Sequence, residues 1–237
     1  MCFPNVTTRV CPLSRDKLGV NGGGCAAWFS DPAAVASWRA FLVRKHSMFS
    51  QWYPSGCNMS AAPRLLLLGR DPDERGLNRK MVPTIGARSF VNQSAVIAHV
   101  SRACDEGAEG GSCKVTSMIG MPFKSFDGNC RVYGTFDILV AVHGAGMSNL
   151  WCATPGAAVV EIITHENATM SMYGPLAAQM GLAYCSVGVK SGTFDTPIQP
   201  NPHVLEACVR SSAKSLTNQH DRVRHGSGCA TLQGALL

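Results

Sequence analysis

His143, Gly144, Ala145 and Gly146 follow an apolar run, and Ser148 and Asn149 come directly after them. An imidazole beside two glycines, where a buried strand gives out, suits the binding of an anion. The glycines clear side chains from the path of a ligand. A helix starting near Ser148 turns its unpaired N–H groups to the same spot, and such a helix start is a ready anion site. Glu161 closes the next apolar run, where a carboxylate suits the hydroxyls of a ribose. A second charged group lies upstream in PRLLLLGRDPDERGLNRK, which carries Arg64, Arg70, Arg75, Arg79 and Lys80. A basic cluster beside a strand end suits a small phosphorylated ligand. It lacks the interleaved aromatics of single-strand nucleic-acid binding, so no nucleic-acid partner is expected. With Asp71, Asp73 and Glu74 as partners, the same cluster also reads as a solvated face.

Other chemistries fit less well. A His-Gly-Ala-Gly loop suits the oxyanion hole of a small hydrolase, but that needs a G-x-S-x-G elbow. The chain has none; its nearest string, GVKSG, misplaces the serine. Asn149 stands where a third glycine would complete a dinucleotide fingerprint. Asp71-Pro72-Asp73 reads as a proline-containing turn rather than a metal site. Eleven cysteines without C-x-x-C spacing argue against zinc. No metal-ligating residues are assigned, and whether the chemistry needs a divalent metal stays open at the level of sequence.

The elements that position these residues follow from the pattern. DPAAVASWRAFLVRKHSMF is a helix that Asp31 can cap, with Pro32 at its first position and Val35, Trp38, Phe41 and Leu42 on one face. RLLLLG, CKVTSMIG, FDILVAVHG, AAVVEII and LAYCSVGV are short apolar runs of the buried-strand type. Between and after them, VNQSAVIAHVSRACDEG, SNLWCAT, MSMYGPLAAQMG and NPHVLEACVRSSAKSL read as helices, with Gly181 as a C-terminal stop. Strands alternating with helices predict an α/β fold: a doubly wound, mostly parallel Rossmann-like sheet with ligands at the carboxyl ends of its strands. That domain is expected over residues 59–216. Residues 1–58 read as an irregular segment with one helix, the remnant of an upstream domain. Residues 217–237, without apolar periodicity, read as disordered.

Composition agrees with a globular domain: 46% of residues are hydrophobic and 15% charged, with a mild net charge of +6. No run approaches the roughly 18 apolar residues of a membrane span. Between Arg131 and Lys190 there is no Lys or Arg, which predicts the driest part of the core. Asn5, Asn58, Asn92 and Asn167 each open an Asn-x-Ser/Thr sequon, which hints at a secretory lumen. Asn92 reads equally well as a helix N-cap.

The block DILVAVHGAGMSNLWCATPGAAVVEII resembles the C-terminal signature of glycosyltransferase family 61, an aspartate, an apolar run, GVHGAGLTN, an apolar step, PG, and a strand ending EI. SWRAFLVRKHSM, RLLLLGRDPDERGLNRKMV and YGPLAAQMGLAYCSV are similar to further parts of that family, in the same order over about residues 18–190. The resemblance implies the C-terminal half of a GT-B architecture. It implies transfer of a sugar from a UDP-sugar donor to a protein or glycan hydroxyl in the endoplasmic reticulum or Golgi lumen. Membrane attachment would come only through a segment outside this sequence. Arg70 and Arg75 match the family's basic positions, His143, Gly144, Ala145, Gly146, Ser148 and Asn149 its glycine loop, and Glu161 its strand-end glutamate. The resemblance identifies no catalytic base here. The stretch SFDGNCRVYGTFDILV departs from the family, where a helix precedes the strand. A nucleotide-binding fragment without catalysis is the alternative expectation.

Overall fold

The computed structural model describes residues 32–46, 48, 62–69, 89–108, 111–119, 125–163, 173–189 and 197–225. Five strands form the sheet: β1 (Arg64–Gly69), β2 (Lys114–Ile119), β3 (Ile138–Val142), β4 (Ala158–Ile163) and β5 (Ala183–Gly188). All pair in parallel, in the order β2-β1-β3-β4-β5. That order also occurs in flavodoxin-like sheets, and it puts the switch point between β1 and β3.

Helices cover both faces, as continuous apolar strands require. On one face lie α2 (Gln93–Gly107) and α5 (Pro202–His225), over Leu65, Leu67, Ile138, Val140, Val160 and Ile162. On the other lie α1 (Pro32–His46), α3 (Phe126–Tyr133), a 3₁₀ helix (Ala145–Cys152) and α4 (Tyr173–Gln179), over Leu66, Leu68, Leu139, Ala141 and Val159. Side chains alternate faces along a strand, so a residue's parity decides which helices it meets. The α/β doubly wound expectation is met, and β3 and β4 are buried along their whole length.

Several local expectations are refined. α3 forms in spite of Gly128 and Asn129, because Ser125 caps its start through the Gly128 N–H and its buried face carries Cys130 and Tyr133. α5 continues to His225, so residues 217–225 are helical rather than disordered. The short helix after β3 is 3₁₀ and begins at Ala145, not near Ser148. Gly181 has φ +64, the left-handed conformation of a helix stop. Three disulfides link described residues: Cys104–Cys113, Cys130–Cys152 and Cys185–Cys208, with Cα separations of 5.8, 5.0 and 5.8 Å, inside the bridging range. Among the described residues no helix is long and apolar enough to cross a membrane.

Candidate functional site

His143 is the first residue beyond β3. Its amide still donates to the Ile162 carbonyl, so the strand ladder aims it before the chain turns away. The imidazole Nδ1 lies 2.5 Å from Oε1 of Glu161. Glu161 sits inside β4, followed by Ile162 and Ile163, and is fully buried. Its other oxygen, Oε2, accepts from the Tyr184 hydroxyl of β5 at 2.5 Å. The register explains this convergence, because Ala141 pairs with Glu161 and Glu161 with Ser186 across neighbouring strands. A buried carboxylate is tolerated only with partners of this kind. The result is a chain, Tyr184–Glu161–His143, across three adjacent strands. With the carboxylate taking the Nδ1 proton, the ring's lone pair belongs to Nε2. About a quarter of the His143 side chain stays exposed, and its ring leans on that of Tyr173 at 5.4 Å.

Glu161 therefore corrects the expectation made of it. It is not an exposed strand-end acceptor for ribose hydroxyls; both its oxygens are engaged inside the protein.

Two buried tyrosines hold the loop itself. The Tyr173 hydroxyl donates to the Gly144 carbonyl at 2.7 Å, and the Tyr133 hydroxyl to the Gly146 carbonyl at 2.7 Å. Asn149 adds its side-chain amide to the Gly146 carbonyl at 2.9 Å, so its side chain closes the turn. Burial, and to a lesser degree the neighbouring Tyr173, push the Tyr133 phenol upward, so it stays protonated and donating. The Met147 N–H also donates to Gly144, opening the 3₁₀ helix. Carbonyl and amide hydrogen point opposite ways across a trans peptide. With Gly144 turned inward, the Ala145 N–H points away from Tyr173, and the first amides of a helix have no partner within it. Gly144 is extended, with φ 169, a conformation open to any residue. Gly144 is buried, whereas Gly146, Ser148 and Asn149 are half-buried.

The supporting frame is covalent and apolar. Cys130–Cys152 ties α3 to the end of the 3₁₀ helix, and the Trp38 indole of α1 donates to the Trp151 carbonyl at 3.1 Å. Arg70, Arg75 and Arg79 lie outside the described residues. Arg64 opens β1, at the end away from Gly69, where its backbone N–H and guanidinium donate to the Asp137 carboxylate at 2.7–2.9 Å. Asp71 and Asp73 lie outside the described residues, and among those described no three His, Cys, Asp or Glu cluster as metal ligands do. Sequence reasoning missed Tyr133, Tyr173 and Tyr184, which stand far from the loop in the chain.

No family model matches the chain, and no curated protein does. Among solved structures it is similar to a diflavin flavoprotein A3 from Nostoc sp., at 11% identity and a TM-score of 0.38, over 70% of this chain and 97% of that one. A metal-soaked Flv1 flavodiiron core from Synechocystis sp. PCC6803 gives 10% and 0.39, over 77% and 41%. AibC gives 14% and 0.27, over 83% and 57%.

Proposed function

We propose that this chain grips the diphosphate of a nucleotide sugar at the carboxyl edge of β3 and is the nucleotide-binding half of a glycosyltransferase. The reaction would pass a sugar from a UDP-sugar to a protein or glycan hydroxyl. The observation that carries the reading is the tethered loop: Tyr173 and Tyr133 hold the carbonyls of Gly144 and Gly146, which fixes the turn that follows His143. The site lies next to the β1/β3 switch point, where doubly wound sheets bind ligands.

In such a transfer the acceptor oxygen bonds the anomeric carbon while the bond from that carbon to the diphosphate breaks. Charge then builds on the leaving diphosphate. Preorganised donors aimed at such charge are worth about 3 kcal/mol each. The Ala145 N–H would serve here, with Arg70 and Arg75 as cationic partners on the family resemblance, and Nε2 of His143 would donate as well once the ring takes up a second proton, whose charge Glu161 balances. Glu161 and Tyr184 act on the ring's orientation and do not touch the ligand. We place the chain in an oxidising lumen. Three disulfides among the described residues support this, since such bonds are rare in reducing compartments.

The test is a melting-point screen with nucleotides and UDP-sugars, because binding to the native state raises the melting temperature. UDP compounds should raise it and adenine nucleotides should not. His143→Ala should weaken UDP binding in calorimetry; unchanged affinity removes His143 from the site. UDP binding with neither sugar transfer nor donor hydrolysis would leave a nucleotide-binding module only.

A further inference from the structure

Asn92 is described in full, unlike the other three sequon asparagines. It occupies the N-cap of α2 with extended backbone, φ −140 and ψ 90. Its Oδ1 accepts the Ala95 N–H at 2.9 Å. Capping therefore uses only the oxygen of the side-chain amide, and it fixes the plane of that amide. Nδ2 is the other branch, and it is the atom that a sequon asparagine offers to a sugar. Asn92 and Ser94, the two residues that define the sequon, are both exposed. Cap and acceptor are compatible because they employ different atoms.

The surface beside Asn92 carries apolar groups. Val91, its neighbour, is 62% exposed. The Val91 amide donates to the Ile198 carbonyl, which joins this turn to the segment leading into α5. Between the two lies a shallow cavity of about 80 Å³, lined by Asn92, Ala95, Val96, Ile198, Pro200 and Pro202 among others. A sugar attached at Nδ2 would rest its apolar face there.

We propose that Asn92 carries an N-linked oligosaccharide. The inference rests on the lumenal placement argued above. In the step, Nδ2 bonds the anomeric carbon of an oligosaccharide carried on a lipid diphosphate. The carbon–oxygen bond to that diphosphate breaks, the lipid diphosphate leaves with the electron pair, and one Nδ2 proton passes to a base of the membrane transferase. Nothing is oxidised or reduced.

The full-length protein is expressed in a eukaryotic host and treated with peptide N-glycosidase in ¹⁸O-water. Peptides are then mapped by mass spectrometry, and free cysteines are counted by alkylation before reduction. An ¹⁸O-labelled aspartate at position 92 is the expected result. Ser94→Ala leaves the Asn92 cap intact, and Asn92→Asp replaces one good cap with another. Both variants should lose one glycan step on a gel and melt like the enzymatically deglycosylated wild type. Label at Asn5, Asn58 or Asn167 without label at Asn92 overturns the inference and leaves the lumenal placement standing. So does a chain without label whose cysteines are bridged. A chain without label and with freely alkylated cysteines overturns both.

Discussion

Replacing Glu161 by Gln tests the Tyr184–Glu161–His143 chain with almost no change of volume. In the wild type each carboxylate oxygen accepts one hydrogen bond, from His143 Nδ1 and from the Tyr184 hydroxyl, each 2.5 Å long. Glutamine keeps one acceptor and turns the other into a donor. Either Tyr184 must rotate to accept, or His143 must give up its Nδ1 proton. A hydrogen bond to a charged group contributes about 1.5–3 kcal/mol, and one of the two is lost while the other becomes neutral. The site is wholly shielded at Glu161, so solvent makes little repair. The expected loss is about 2–3 kcal/mol, which in a domain of this size lowers the melting temperature by about 4–12 °C. Tyr184→Phe should cost a similar amount, and the double variant less than the sum, since both act through one carboxylate. The specific readout is the ¹⁵N spectrum of His143. It should show one Nδ1-protonated tautomer in the wild type and a mixture in Glu161→Gln. UDP affinity should fall with the tautomer. An unchanged melting temperature together with an unchanged His143 spectrum would refute the reasoning, because the carboxylate would then neither stabilise the core nor orient the ring.

Two further outcomes follow from other contacts. Gly107→Ala should destabilise, although alanine normally gains about 1 kcal/mol over glycine in a helix. The added methyl would lie 2.4 Å from the Arg210 carbonyl oxygen and 2.8 Å from the Ala213 side chain, where α2 meets α5. Overpacking of this kind costs about 1–3 kcal/mol, and thermal denaturation decides the sign. Tyr133→Phe and Tyr173→Phe should each cost about 1 kcal/mol in stability. Each should also weaken UDP binding in calorimetry, because each removes one of the two donors that hold a loop carbonyl; full UDP affinity in both would detach the tethers from the site.

The strands were legible because their signal is local. RLLLLG and DILVAV are apolar without alternation, which only a sheet covered on both faces accommodates. The helix at Gln93–Gly107 was equally clear, since Asn92 announces its own cap. α3 was harder to read, because Gly128 and Asn129 weaken its propensity while its stability comes from burying Cys130 and Tyr133. The disulfide partners were not legible at all, since nothing in eleven cysteines says which two come within bridging distance.

The sequence by itself determined an α/β sheet, the place of the His-Gly-Ala-Gly loop at the end of its most buried strand, and the presence of Glu161 one strand away. Those follow from apolar runs, glycines and strand lengths, all read within a few residues. Only the tertiary structure decided what Glu161 does. Strand register sets it level with Ala141 and Ser186, and side-chain parity turns it towards Tyr184 and His143, so a carboxylate that reads as a ligand acceptor becomes the internal support of an imidazole. Register and parity are relations between strands, and no single stretch of chain contains them.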